Sequence, residues 1–223
     1  MIEEYTIAGF DSMTAVARGY NDSPTEASRP FDKDRCGFVL GEAAAIFCME
    51  TLEKALERDA KIYAEVVGGA SSSDAYHIAA LDPDALGMLR SMKWALESAG
   101  LDTEDIDYIN AHGTSTEPND RLETLAIKKL FGEYAYQIPV NSTKSMIGHC
   151  MGAAGAVEAV AVIRSLQDQV LHPTINYTTP DPDCDLDYVP NEARDAKIQY
   201  AVSNNFGLGG QNASVIFGCM NGA

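Results

Sequence analysis

Paired cysteines, long apolar runs and positive charge are what this sequence has least of. Its five cysteines (Cys36, Cys48, Cys150, Cys184 and Cys219) are odd in number and far apart, with no CxxC pair and no Cys/His cluster. That pattern argues against a disulfide framework and against a metal site, and it predicts a reducing, cytoplasmic setting. No apolar stretch approaches the ~20 residues that span a bilayer, and Met1-Ile2-Glu3-Glu4 does not begin a signal peptide. Against 33 Asp+Glu stand 16 Lys+Arg, a net charge of -17, which argues against nucleic acid or an anionic membrane as main partner. A P-loop lysine, a dinucleotide fingerprint, internal repeats and low-complexity tracts are also missing. What remains, 46% hydrophobic and 22% charged residues over 223, is the composition of a globular chain with a sizeable core.

Periodicity places the elements. Met1 to Arg18 is loosely helical without a start signal, as if the chain began inside an element. Residues 21–35 are polar and proline-containing, hence a loop. Gly37 to Met49, GFVLGEAAAIFCM, is apolar and predicts one or two buried strands. A charged helix over 50–59, a strand over 61–71 and a helix from Asp82 to Ala99 follow, with Pro83 at its start and Gly100 as its stop. Strands over 107–111 and 138–141 flank a helix over 120–131. The segment 172–189 is a long proline- and aspartate-rich connection, and strands over 197–204 and 213–219 flank a glycine-rich loop. This alternation predicts a layered α/β fold around a buried, largely parallel sheet.

The stretch Asn141 to Ile163, NSTKSMIGHCMGAAGAVEAVAVI, organises the chain. Its helix carries a single charge, Glu158, and is expected to be buried on nearly all sides, with Gly152 and Gly155 admitting another backbone. Lys144 and His149 stand at its positive end, which favours a neutral imidazole. The segment is either a core helix with a satisfied histidine or a place for chemistry. A second motif, Asn110-Ala-His-Gly-Thr-Ser-Thr116, falls at a strand end, where α/β folds keep their sites. Asp120 and Glu123 follow on one helical face, either serving that motif or simply solvated, and Thr114 and Thr116 are equally readable as turn and cap residues. The third, Asn204-Asn-Phe-Gly-Leu-Gly-Gly210, is a tight hairpin, a phosphate cradle or a flexible gate. His77 and His172 lack any motif and read as structural. Two histidines, a lysine and a glycine-rich loop suit acyl chemistry through an enolate, which needs a nucleophile beside them.

These three motifs, with Ser28-Arg-Pro-Phe-Asp-Lys-Asp-Arg-Cys-Gly-Phe38, Ala60-Lys-Ile-Tyr-Ala-Glu65, Pro173-Thr-Ile-Asn176 and Cys184-Asp-Leu-Asp187, closely resemble the β-ketoacyl-acyl-carrier-protein synthases, synthase II above all, over essentially the whole chain. The resemblance implies a thiolase-like fold of five layers (αβαβα) in a dimer, here residues 1–60 as trailing elements of the first half and 61–223 as the second half. It implies that His112 and His149 assist decarboxylation of a malonyl group and stabilise the enolate. Lys144 then supports them through hydrogen bonds, with Asp120 and Glu123 in its network. Thr114 and Thr116 would hydrogen-bond the phosphopantetheine arm of acyl carrier protein, the substrate carrier, with no intrinsic cofactor. Phe206 would gate the nucleophile and offer its N–H to an oxyanion, with Gly207, Gly209 and Gly210 letting the loop swing.

One departure matters. The family's nucleophilic cysteine belongs to the N-terminal half, and none of the five cysteines here stands in its motif; Cys150 is expected to be packing. The chain is therefore expected to be inactive alone, poorly stable alone, and partnered by the missing half or a ketosynthase chain. A non-catalytic partner similar to chain-length factors is the alternative, though such a subunit has no need of both histidines and the lysine. Thiolase, a third reading, favours a cysteine near its C-terminus in a glycine-rich setting that Cys219 lacks. Carriers are acidic, so docking would need local basic residues such as Arg18, Arg121, Lys128 or Lys129.

Overall fold

The computed structural model describes residues 2–220. In chain order its elements are α1 (Glu4–Ser12), α2 (Leu52–Glu57), β1 (Glu65–Ser73), α3 (Leu86–Ala99), β2 (Tyr108–Asn110), α4 (Glu117–Phe131), β3 (Val140–Asn141), α5 (Lys144–Ile147), α6 (Ala154–Asp168), β4 (Val170–Leu171), β5 (Arg194–Asp195), β6 (Tyr200–Gly207) and β7 (Gln211–Gly218). Five strands form one sheet in the order β1-β7-β6-β2-β3, and β4 pairs with β5 apart from it.

Alternation of side chains across the sheet builds two cores, the physical signature of a helix/sheet/helix sandwich. On one face Ile109, Val140, Val202, Phe206 and Ile216 meet Met88, Met92 and Ala95 of α3 and Leu122, Ala126 and Ile127 of α4. On the other, Tyr108, Ala201 and Phe217 meet Ala159, Val162 and Leu166 of α6. Three expectations are corrected here. The sheet is mixed: β2 runs parallel to β3 and β6, whereas β1/β7 and β6/β7 are antiparallel. Strands β6 and β7 form a hairpin, whose geometry forbids parallel pairing. Helix α6 is buried along one face only, through residues such as Glu158, Val162 and Leu166, while Val160 and Arg164 point outward. Nor do its glycines admit a neighbouring backbone: a Cβ at Gly152 would meet nothing within 4 Å, and at Gly155 only the Asn205 side chain.

The predicted buried strands over 37–49 do not form. Gly37 and Phe38 are buried and Val39 is half-buried, but beyond Gly41 the segment runs without secondary structure, partly or fully exposed. Helix α3 begins three residues after Pro83. Asp82 explains this, because its carboxylate takes the N–H groups of Asp84 and Leu86 at 3.1 and 3.0 Å while Ala85 turns left-handed at φ 54°. Its end falls where expected, at Gly100 with φ 68°, whose N–H returns to the last turn.

Candidate active site

Strand β2 delivers His112 to the carboxyl edge of the sheet, flanked on both sides by parallel neighbours. What fixes the loop after it is a carboxylate from α4. Glu123, fully buried, accepts the N–H of His112 on one oxygen and that of Gly113 on the other, both at 2.8 Å. Gly113 sits at φ 40°, and a Cβ there would fall 2.7 Å from Ser142 and 3.1 Å from Phe31, so only glycine fits. Asp120, one turn earlier, accepts the Phe31 N–H at 2.8 Å and faces the Arg35 guanidinium at 3.7 Å. It thereby ties the segment 28–36 across the histidine loop, helped by Arg29 N–H donating to Ser115 Oγ.

The second histidine is held from a different direction. His149 donates its N–H to Val39 O at 2.7 Å and receives that of Gly41 at 3.0 Å. Its Nδ1 accepts the Met151 N–H at 3.1 Å, which leaves the ring hydrogen on Nε2. The two imidazoles stand edge to face, centroids 5.3 Å apart and planes at 84°. Phe206 approaches His112 at 5.9 Å and Phe38 approaches His149 at 5.5 Å, so the pair sits in an aromatic, water-poor frame.

Both rings are held neutral. Burial, then the Lys144 ammonium, push His149 down to about 3 from the ordinary value of 6.5. Burial, Lys144 and the neighbouring imidazole put His112 well below its ordinary value, opposed by a hydrogen bond to Asn205. His112 Nδ1 has no partner among the described residues. Lys144 lies behind the pair, 1% exposed, in an ion pair with Glu158 on α6; Glu158 also takes Asn205 Nδ2–H at 2.8 Å. The hydrogen-bonded carboxylate partner of Lys144 is Glu158; Glu123 accepts the two loop N–H groups while lying within reach of the Lys144 charge, and Asp120 faces Arg35. Burial pushes the Glu123 carboxyl up to about 7 despite its two N–H donors, and pushes Glu158 and Asp120 upward as well. Glu158 was marked in the sequence as the lone charge on an apolar helix, a signal that a buried partner had to exist. Asn205 and Arg35 carried no such signal.

Thr114 and Thr116 share a hydroxyl hydrogen bond of 2.9 Å beside His112. Phe206 is buried at the end of β6, and the tip beyond it, Leu208-Gly209-Gly210, is a tight hairpin turn with Gly209 and Gly210 at φ 81° and 72°. It is not loose: Gly209 N–H donates to Ile78 O at 3.0 Å, Asp74 N–H to Gly210 O at 2.8 Å, and Asn212 Nδ2–H to Asp74 Oδ1 at 2.7 Å. Cys150 is buried, and burial with the Glu158 charge raises its thiol pKa, opposite to what a nucleophile needs. Burial likewise pushes the Cys184 thiol up to about 12. His172 is more than a spacer, since its Nε2 meets Thr143 Oγ1 at 3.1 Å and Thr143 donates on to Asn110 at 2.8 Å. His77 accepts the N–H groups of Ala79 and Ala80, a local turn. The basic residues considered for docking are engaged: Arg18 with Asp11, Arg121 with Glu117, Lys128 with Asp185, and Lys129 with Asp84 O. Among the described residues no cluster of His, Cys, Asp and Glu could hold a metal, and no helix is long and apolar enough to cross a membrane.

Residues 63–178 match the family model for the beta-ketoacyl synthase, C-terminal domain. The 3-oxoacyl-[acyl-carrier-protein] synthase 2 of Synechocystis sp. is 52% identical over 216 residues, covering 97% of this chain and 52% of the relative. That of Staphylococcus aureus is 49% identical, over 97% of this chain and 53% of the relative. Among solved structures, a chain of the AntDE:AntF complex, a type II polyketide synthase acyl-carrier protein with its ketosynthase bound to the hexaketide, superposes with a TM-score of 0.93 at 39% identity, covering 99% of this chain and 54% of that one. A beta-ketoacyl synthase from Burkholderia phymatum superposes at 0.89 and 39% identity, over 99% of this chain and 53% of that one. The chain spans about half the length of the curated relatives it matches.

Proposed function

Because the chain belongs to the beta-ketoacyl synthase family through its C-terminal domain, we propose that it is the decarboxylating half of a 3-oxoacyl-acyl-carrier-protein synthase site, with a thiolase-like fold. The observation that carries this reading is the neutral, orthogonal His112–His149 pair backed by the buried Lys144–Glu158 ion pair. A malonyl thioester bound there loses its terminal carboxylate as carbon dioxide, and the electron pair of the broken C–C bond passes into an enolate. The Nε2–H of neutral His149 donates to the enolate oxygen, and neutral His112 lies 5.3 Å away to act with it. The enolate carbon then attacks the carbonyl of an acyl thioester, forming the new C–C bond and expelling the sulfur as thiolate. Lys144 keeps the imidazoles unprotonated by adding positive charge beside them, and Glu158 and Asn205 keep Lys144 in place.

On this reading the thioester sulfur comes from outside these residues: Cys150 and Cys184 are buried with thiols raised rather than depressed, Cys36 and Cys48 are exposed, and Cys219 lies against Leu166 O. Thr114 and Thr116 hold the phosphopantetheine arm, Phe206 covers the acyl side, and residues 1–60 belong to the first half of the complete enzyme, a dimer acting with acyl carrier protein in the cytoplasm. The His112–His149 pair, with the Lys144 charge acting on both rings, favours this reading over a chain-length-factor-like partner. The test is release of carbon dioxide and condensation product from malonyl-carrier. The chain alone is expected to give no condensation; assembled with a cysteine-bearing half, it is expected to lose about 10²-fold or more in kcat on His149→Ala. Condensation by the isolated chain that survives Cys150→Ala, or full turnover in the double variant His112→Ala/His149→Ala, overturns it.

A further inference from the structure

We infer that His172 is a positioning residue of the site: its Nε2–H holds Thr143, and through Thr143 and Asn110 it fixes both partners of the Lys144–Glu158 ion pair behind the two histidines. The inference rests on the reading above that this ion pair serves His112 and His149. His172 follows β4 and stands outside the three motifs that mark the site. It is anchored before its ring makes any contact. Its carbonyl accepts Asn141 Nδ2–H at 2.7 Å, and Asn141 Oδ1 in turn accepts the Tyr108 hydroxyl at 2.6 Å.

Counting hydrogens gives each bond its direction. The Glu158 carboxylate can only accept, and it takes a hydrogen bond from Asn110, whose Nδ2 also donates to Ser203 Oγ at 3.2 Å. The amide oxygen of Asn110 therefore faces Thr143 and takes the single hydrogen of its hydroxyl at 2.8 Å. With that hydrogen committed, the 3.1 Å contact between Thr143 Oγ1 and His172 Nε2 needs a hydrogen on the ring nitrogen. Burial pushes His172 below its ordinary 6.5, opposed by the Pro173 carbonyl, so at neutral pH the ring has one hydrogen for two nitrogens. Nδ1 lies 3.1 Å from Pro173 O at a part-exposed position, where water can replace a bond. Asn110 and Thr143 are buried, where a missing bond strands a polar atom. The hydrogen belongs on Nε2.

This chain of bonds ends on the charges that act on the imidazoles. Thr143 directly precedes Lys144 at the start of α5, so a hydroxyl held from both sides fixes the backbone from which the lysine projects. Asn110 holds Glu158 from one side, and Asn205 Nδ2–H holds it from the other at 2.8 Å. Without the Nε2–H, Thr143 keeps one bond instead of two, its hydroxyl turns, and Asn110 loses a fixed donor. Lys144 then shifts relative to both rings on which its charge bears.

Nitrogen-15 NMR of the full chain, labelled at its four histidines, reads the hydrogens on each ring. Near neutral pH His172 is expected to carry hydrogen on Nε2; hydrogen on Nδ1 alone overturns the inference. His172→Phe keeps a ring without the donor and is expected to move the His112 and His149 signals, whereas His172→Gln returns an N–H and restores them. Thr143→Val is expected to move the same two signals, and it carries the test if His172→Phe does not fold. His77, which accepts the N–H groups of Ala79 and Ala80, reports folding in each variant. Unmoved His112 and His149 signals in the folded variants, or His172→Gln displacing them as far as His172→Phe, overturns the inference. In the assembly with a cysteine-bearing half, His172→Phe is expected to lower kcat about 10-fold with KM within about 2-fold, and His172→Gln to recover most of it. Ring signals that respond as expected, in a chain whose assembly condenses nothing, uphold the positioning role and sink the proposed chemistry; condensation with a kcat indifferent to His172→Phe does the reverse.

Discussion

At the scale of single residues, the site is a set of ionisable groups whose burial has to be offset by one another. His149 is held at about 3 against an ordinary 6.5, so between those values the unfolded chain binds a proton that the folded chain refuses. Stability from this group is complete above about pH 6.5 and is lost as pH falls toward 3. The variant His149→Gln lacks that slope. Its melting temperature relative to wild type is therefore expected to rise between pH 7.5 and pH 4.5, by the equivalent of about 3 kcal/mol, and an unchanged difference at the two pH values contradicts a neutral buried imidazole. Glu123 has the opposite sign, since its carboxyl is raised to about 7 and its stability is present at low pH and fades as pH climbs. Lys144 and Glu158 behave as a unit. Lys144→Met strands a buried carboxylate and is expected to cost about 3–5 kcal/mol in denaturant unfolding, whereas Lys144→Met/Glu158→Gln removes both charges and recovers much of that loss. Additive losses in the cycle would mean that the two side chains do not interact.

At the scale of elements, the hairpin β6–β7 and its latch decide how freely Phe206 moves. Asp74 reaches the turn from the end of β1, and Gly87 in α3 leaves room for it: a Cβ at Gly87 would lie 1.9 Å from Asp74 Oδ1. Two unlike substitutions, Asp74→Ala and Gly87→Ala, are thus expected to give one phenotype, faster exchange of the amides at 207–210 by about 10-fold with 201–204 unaffected. Exchange at the turn unaltered in both variants would leave the loop's rigidity to its own glycines. Much of this level was readable beforehand. The Gly100 stop, the strand carrying His112, the helix carrying Asp120 and Glu123, and the paired strands around the glycine loop each follow from period and punctuation. What was not readable has physical causes. Parallel and antiparallel strands buried on both faces share one hydrophobic pattern, so the mixed sheet was hidden. Asp82 starts α3 late through two side-chain bonds that Pro83 obscures. Glu158 was visible as a buried charge, but its distance from Lys144 along the chain concealed the pairing, and Asp74 sits in a polar loop where an aspartate attracts no notice. Residues 43–49 read as buried because their composition is that of a covered strand, yet they run exposed.

At the scale of the whole molecule, charge sets the terms on which the proposed acidic carrier would approach. The net charge is -17, and the four basic residues with a claim to a docking patch are each engaged: Arg18 by Asp11, Arg121 by Glu117, Lys128 by Asp185, and Lys129 by the carbonyl of Asp84. An acidic protein meeting this surface is repelled at long range, and the repulsion reaches about 10 Å at 0.1 M ionic strength and shrinks to about 3 Å at 1 M. Salt therefore screens an obstacle here, in contrast to the usual docking of an acidic carrier on a basic patch, where it screens an attraction. Binding of fluorescently labelled acyl carrier protein to the isolated chain is accordingly expected to be flat or to tighten as salt rises from 0.02 to about 0.5 M, and Lys128→Ala is expected to change it by less than about 2-fold. Under the proposed function, assembly with the other half of the synthase would separate two sources of attraction. If that half carries the basic surface, the assembly's affinity falls with salt while the isolated chain's does not. Binding by the isolated chain that weakens steeply with salt contradicts the argument and locates an attractive basic patch on this polypeptide, away from the four residues already engaged.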